Sequence, residues 1–396
     1  MTSLTSDKIR FPWRKPTLPS RRPLMRWSSF DRRIVLALGL AVLPGETGAF
    51  PTQPAGDEGG PRPSVKSSQP SDTDTTAEAI HEAIDREIVR LEQQRLERLA
   101  RLASRQAPPA AAATYDQLFR AAIAANLFRD AEPAADTVIR SGGPSPAVVA
   151  LAHLVKIIAE ADRGAYEESL ESLRRALARK AEADPTGSSS PHLQADEIVG
   201  ICEAYYQRLL EGDQFEIARR AFRLALEASS VPAVRDFLES RLKRLELVGK
   251  PAPPIEGTDL DGRPFRLADH QGKVVLVVFW ASWCLPCAAE VAWIQQVERT
   301  YRPQGFQVIG INVDILQNGG EKLETVLPNI RRFILDQNIG WPNLIDGMGN
   351  RDYAAAYGVT DIPANALIGR DGKVIHLDLG RRNLQTVVAR AVAHSS

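Results

Sequence analysis

Hydrophobic and polar positions change pattern four times along the chain. Residues 34–43 form an uncharged apolar run of ten. As a helix that run rises about 15 Å, half of a hydrocarbon core of about 30 Å, so it is too short to span a membrane. Residues 50–74 are rich in Pro, Gly, Ser, Asp and Thr and nearly empty of apolar side chains, the pattern of a disordered linker. From residue 75 apolar positions recur at helical spacing: Ile80, Ile84, Ile88, Leu91, Leu99 and Leu102 predict one long amphipathic helix over 75–105. Thr75 and Glu78 stand at capping-box spacing at its start. Arg95 and Leu96 break the heptad register, which leaves two readings, a helix packed on its own domain or a dimerising coiled coil. Residues 113–248 stay helical and rich in Ala, Leu and Arg, with a surface loop at 184–191.

At Gly249 the texture changes, and Pro251, Pro253 and Pro254 end the helical region. Residues 274–280 are apolar without alternation, as a strand buried on both faces requires. A helix from Cys284 to about Tyr301 and a strand over 306–313 follow. A second helix runs from Glu321 to about Gln337, and Pro328 should kink or restart it. Asp261-Gly262 signals one hairpin, Asp371-Gly372 joins 365–368 to 374–377 in another, and 383–392 is a last helix. The predicted class is α+β and multidomain, an α-helical region followed by a C-terminal α/β domain over 249–396.

Within the helical region three segments share one spacing of aromatic or apolar and small residues. They are Phe128/Ala131/Ala135/Val138, Tyr166/Ser169/Leu173/Ala176 and Phe215/Ala218/Phe222/Ala225, each following a turn-like group. The pattern resembles degenerate tetratricopeptide hairpins, although the intervals are irregular; an ordinary helical bundle accounts for it as well.

The charge balance sharpens the reading of the front of the chain. Lys and Arg total 49 and Asp and Glu total 49, which opposes a nucleic-acid-binding protein with a uniform basic field. Residues 1–33, however, hold nine basic residues against two acids, immediately before the apolar run. A basic stretch, a short apolar core and then small residues read as a secretory signal over 1–49, with cleavage after Ala49. Met25 offers a second start with an n-region of ordinary length, and Arg32-Arg33 allows a twin-arginine route. A buried core helix and an uncleaved membrane anchor are the other readings. With the signal removed, 40 basic residues face 46 acidic ones, which suits an exported, periplasmic protein.

The chemistry centres on two of the three cysteines. Trp283-Cys284-Leu285-Pro286-Cys287 lies where the buried strand passes into a helix. Unpaired N–H groups and the macrodipole at a helix N-terminus favour negative charge, so Cys284 should carry more thiolate than a free thiol. Cys287 follows one turn later, near enough to close a disulfide; Cys284 would attack a substrate disulfide and Cys287 would resolve the mixed disulfide. A zinc site would need two more Cys or His at suitable spacing, and the six histidines are scattered. No metal and no cofactor is therefore expected. Cys202, in a helical apolar stretch, reads as an inert core thiol.

Residues 279–290, Phe-Trp-Ala-Ser-Trp-Cys-Leu-Pro-Cys-Ala-Ala-Glu, resemble the active-site segment of the TlpA/ResA-like thiol–disulfide oxidoreductases, a branch of the thioredoxin superfamily. Residues 357–363, Tyr-Gly-Val-Thr-Asp-Ile-Pro, resemble the segment that carries the superfamily's cis-proline. The resemblance covers about residues 249–396 and implies a thioredoxin-like fold. It implies that Ile362 and Pro363 face the disulfide and help to hold the substrate chain. Glu290 matches the family's acid three residues past the second cysteine and would exchange a proton with Cys287, its carboxyl raised by desolvation; a solvated first-turn glutamate is the plainer reading. Trp283 would shield the thiols and offer an apolar docking surface, or simply pack. Two departures stand out. Val278 occupies the position of the buried acid of cytoplasmic thioredoxins, and Ala364–Gly369 lacks the family's usual threonines, aromatic and acid.

The resulting expectation is an exported enzyme that reduces or isomerises disulfides of extracytoplasmic proteins. Its implied partners are protein thiol and disulfide clients, such as an apocytochrome c, and a membrane thiol-electron donor, with the helical region free to bind protein. Two rivals stand beside it. A thiol peroxidase of the same superfamily is opposed by the nearby Cys287 and by Ala281 at the usual threonine position. A helical-repeat binding scaffold with an accessory redox domain is the other.

Overall fold

The computed structural model describes residues 76–178, 193–319, 322–348 and 351–393. The expected signal (1–49), linker (50–74) and surface loop (184–191) lie outside the described residues. The described residues fall into two compact units, one ending at Ala204 and one beginning at Tyr205.

The first unit opens with α1 (Ala77–Ala103). Its cap is Thr76, whose hydroxyl accepts from the Ala79 N–H at 3.1 Å, so the helix begins just inside the predicted 75–105. Then come α2 (Pro108–Ala125), α3 (Phe128–Ser141), α4 (Pro146–Asp162) and α5 (Tyr166–Ala178). Consecutive helices pack on each other, and α2 also packs on α4. The tight turns between them use left-handed backbone at Asn126 and at Gly142 and Gly143, where glycine carries no steric penalty. The repeated spacing does its expected work in α3, where Phe128, Ala131, Ala135 and Val138 are all buried. No described helix is long and apolar enough to cross a membrane.

Helix α6 (Ala195–Glu211) carries the boundary between the units. The second unit holds its end, then α7 (Phe215–Ala228) and α8 (Pro232–Leu245), and then the sheet. Thus Phe215, Ala218, Phe222 and Ala225, grouped by spacing with the two earlier helices, belong to the unit that carries the sheet. Phe222 packs 5.3 Å from Tyr206 and edge-on to Phe237. An aromatic-and-small stripe states that a helix needs a partner, not which one. The compact unit accordingly starts at Tyr205, whereas the change of texture falls at Gly249.

After α8 the chain forms a small hairpin, β1 (Glu256–Thr258) and β2 (Pro264–Arg266). Next are β3 (Val274–Trp280), α9 (Leu285–Tyr301), β4 (Phe306–Asn312), α10 (Leu323–Asp336), β5 (Asn343–Ile345), α11 (Tyr353–Ala356), β6 (Ala364–Ile368), β7 (Val374–Leu377) and α12 (Leu384–Ala393). The five-stranded sheet has the order β5-β4-β3-β6-β7. β3, β4 and β5 are parallel, and β6 and β7 antiparallel. Every residue of central β3 is buried, as its uninterrupted apolar run requires. Val274, Leu276 and Val278 join Val291, Ile294 and Val297 of α9 and Leu384 and Val388 of α12 in one core. Gly310 of β4 leaves room for the Trp280 indole N–H to donate to Asn343 at 3.1 Å; a Cβ there would lie 2.0 Å from the Asn343 oxygen. Pro328 sits inside α10, which neither stops nor restarts at it. β5 and α11 fall where the sequence pattern predicted no element.

Candidate active site

The end of β3 delivers the redox motif. After Trp280 the chain turns through Ala281–Trp283, and Cys284 caps α9 with extended backbone (φ −82°, ψ 98°). Its Sγ accepts from the Cys287 N–H at 3.2 Å, so the sulfur occupies the place a capping oxygen usually takes. Leu285 and Pro286 fill the first helical positions, where a missing N–H breaks no bond. Cys284 and Cys287 are joined as a disulfide, their Cα atoms 5.3 Å apart, and both are buried. Around this buried pair Trp283 is 46% exposed and Leu285 78% exposed, an apolar rim open to solvent.

The turn before Cys284 is held by a residue that sequence reasoning missed. Asp314 is buried, accepts from the Ser282 N–H at 2.8 Å, and also receives the Ser282 hydroxyl. The Asn312 amide donates to the same carboxylate at 2.7 Å. These contacts make the approach to Cys284 a fixed turn.

The Ile362–Pro363 peptide bond is cis. Its position follows from register: Phe279 of β3 stands opposite Ala364 of antiparallel β6, so Pro363 lies one step on, at the end of the sheet where Cys284 emerges. Ile362 and Pro363 are half-buried.

Glu290 lies three residues beyond Cys287, on the same face of α9 one turn on. Burial, reinforced by the neighbouring negative charge of Asp378, pushes its carboxyl up to about 8. A carboxyl raised in this way favours its protonated form near neutrality.

Asp378 leads to the second missed group. The guanidinium of Arg244, in α8, is 0% exposed and donates to Asp378, to the Tyr357 carbonyl at 3.2 Å and to the Asn365 carbonyl at 3.0 Å. The Tyr206 hydroxyl donates to the same carboxylate at 2.8 Å. Arg241 forms a bidentate pair with Asp361, both bonds 2.9 Å. These partners stand more than a hundred positions apart, and no local pattern could have paired them. Cys202 is a buried free thiol, pushed up to about 12 by burial and by Glu203, which suits an inert role. Among the described residues no group of three or more His, Cys, Asp or Glu could hold a metal ion.

A parallel and antiparallel sheet flanked by helices, with a Cys-Leu-Pro-Cys disulfide at a strand-to-helix junction and a cis-proline at the same sheet end, defines a thiol–disulfide oxidoreductase of the thioredoxin superfamily. Residues 248–377 match the AhpC/TSA family. The chain is 32% identical over 136 residues to the thiol-disulfide oxidoreductase ResA of Bacillus cereus, a match covering 34% of this chain and 71% of that relative. It is 35% identical over 127 residues to ResA of Geobacillus thermodenitrificans, covering 32% of this chain and 66% of the relative. Among solved structures, a putative thiol:disulfide interchange protein DsbE from Chlorobium tepidum shares 29% identity, with 37% of this chain and 97% of that chain covered at a TM-score of 0.32. The chain belongs, through its C-terminal domain, to the ResA-like thiol–disulfide oxidoreductases.

Proposed function

We propose that the chain is an exported protein-disulfide reductase or isomerase, with Cys284 attacking and Cys287 resolving. The observation that carries this is the buried Cys284–Cys287 disulfide at the N-terminus of α9, ringed by exposed Trp283 and Leu285. In the reduced protein the Cys284 thiolate attacks one sulfur of a client disulfide and expels the other as a thiolate. Cys287 then attacks Cys284 Sγ, releases the client's second thiol and leaves the oxidised pair seen here. Two electrons pass to the client, and a thiol donor returns two to restore the dithiol. Glu290, whose carboxyl titrates near 8, takes in its ionised form the proton that Cys287 must lose in the resolving step. Trp283 supplies apolar docking area, and Ile362-Pro363 aligns the client chain beside the disulfide.

The basic and apolar pattern of residues 1–49 supports export to an extracytoplasmic, periplasmic compartment. The clients there are folding or oxidised thiol proteins, an apocytochrome c among them, and the electron donor is a membrane thiol protein. The helices up to Ala204 are free to select clients by binding protein. The test is insulin disulfide reduction by the purified chain. Cys284→Ser should abolish turnover, and Cys287→Ser should accumulate mixed disulfides with clients. Wild-type turnover by Cys284→Ser would sink the mechanism. Hydrogen peroxide consumption exceeding disulfide reduction would favour a thiol peroxidase instead.

A further inference from the structure

One helix grips the cis-proline segment at three places. Arg241 and Arg244 lie three apart on α8 and share a face. The Arg244 guanidinium binds both the Tyr357 and the Asn365 carbonyls, so a single buried group ties together the two sides of the loop 358–363. Arg241 holds Asp361 in the middle of that loop, next to Ile362-Pro363. Gly358, at φ +65°, lets helix and loop meet: a Cβ there would stand 3.1 Å from Arg244 Cγ and 3.4 Å from its backbone nitrogen. Arg241 in turn is braced over the Tyr206 and Phe237 rings, 5.6 and 5.1 Å from their centres.

The chemistry of the two pairs differs. Arg244 is wholly buried, and removing it would take a charged donor from two carbonyls and a carboxylate, of which the Asn365 carbonyl keeps the Asp378 N–H and Asp378 keeps the Tyr206 hydroxyl. The Asp361 side chain is 58% exposed, so its pairing with Arg241 adds little to global stability. What that bidentate pair does supply is orientation, since two parallel bonds fix the carboxylate in plane and angle. A loop held at both ends and in its middle is ordered before a client arrives, which removes the ordering penalty from binding.

We propose that Arg241 and Arg244 are positioning residues for disulfide exchange, holding the 358–363 loop in the geometry on which a protein client aligns. Both precede residue 248, where the family match begins, so the device belongs to the helices this chain places before its redox fold. The inference rests on the proposed role of Ile362-Pro363 in client alignment.

The experiment compares a protein disulfide with a small one, using the full chain. Arg241→Gln should lower kcat/KM for insulin about tenfold, mainly through KM, as loss of a charged bidentate contact would. Its effect on cystine, too small to use the loop, should be several-fold weaker. Exchanging the charges, Arg241→Asp with Asp361→Arg, should bring the insulin value back to within about threefold of wild type. Thermal unfolding of each variant confirms that a folded protein is compared. Insulin and cystine rates that fall together, an unchanged insulin KM, or a folded charge-exchanged protein no better than Arg241→Gln would each overturn the proposal. A wild-type chain that reduces neither substrate would overturn the reading beneath it as well, whereas an active wild type with an indifferent Arg241→Gln overturns this inference alone.

Discussion

In the helices up to Ala204, ion pairs run mainly along surfaces at i,i+3 and i,i+4, such as Asp116–Arg120 at 2.8 Å and Glu171–Arg174 at 2.7 Å. Lys156, between Asp136 and Glu160, is more buried and joins α3 to α4. In the unit from Tyr205 onward, Arg244 is fully buried against Asp378 and two carbonyls. The first unit is held by apolar and small residues that tolerate many sequences at a given spacing. The second places the fully buried guanidinium of Arg244 beside its cis-proline loop. Replacing a buried ion pair by apolar groups is often neutral or stabilising, so such a pair is weak grounds for stability by itself. Its value here is that it accepts only one arrangement of α8, β6 and the turn after β7.

If that contrast is right, the redox fold depends on helices that precede the segment matched by its family. A chain beginning at Gln194 should fold with a reducible Cys284–Cys287 pair. One beginning at Gly249 loses Arg244 and Tyr206, leaving Asp378 without these two partners and exposing the surface they covered. Breaking a buried pair costs about 3–5 kcal/mol, a large part of the roughly 5–15 kcal/mol that holds a domain together. The thermal midpoint of the shorter chain should lie roughly 10–20 °C below that of the longer one. Equal midpoints in calorimetry would break the comparison.

A smaller effect is expected at Glu290. Its folded carboxyl stands near 8 against an unfolded value of 4.5, so the folded state binds the proton more tightly. The contribution is therefore fully present below about pH 4.5 and is lost as pH rises toward 8. Glu290→Gln keeps the shape and removes the ionisation. It should match wild type near pH 4 and exceed it at pH 8 by roughly 1–3 kcal/mol, read from denaturant unfolding of the oxidised protein. The same variant should flatten the alkaline-side pH dependence of Cys287 reactivity in the reduced protein. Parallel stability curves from pH 4 to 8 would rule out the raised carboxyl and the proton-exchange role with it.

What could be read in advance was what one stretch of chain states by itself. Residues 274–280 declare a buried strand because every position is apolar, and Cys284 and Cys287 stand out because they lie just where that strand passes into a helix. The resemblance of residues 357–363 pointed to a cis-proline, and the Ile362–Pro363 bond is cis. Three-residue β5 and four-residue α11 were missed because periodicity has no meaning over so few positions. Asp314 looked like any polar residue after a strand, and only the folded turn brings Ser282 to it. Arg241 and Arg244 sit in a charged helix, and nothing local marks Asp361 and Asp378, more than a hundred residues later, as their partners. The stripe of α7, shared with α3 and α5, packs on its neighbouring helices through Tyr206 and Phe237, as the repeated spacing led one to expect.

The smallest effect tests the other side of the comparison. Arg120 pairs with Asp116 across one turn of α2, with 47% and 35% of the two side chains exposed. An i,i+4 pair of this kind contributes about 0.3–0.5 kcal/mol, reduced further by salt. Alanine is the better helix former by a few tenths of a kcal/mol. The two nearly cancel, so Arg120→Ala should change unfolding free energy by no more than about 0.5 kcal/mol, and by less in high salt. A loss above about 2 kcal/mol would mean that charges in this unit fix its packing as Arg244 does beside the cis-proline loop, and the contrast between the units would no longer hold.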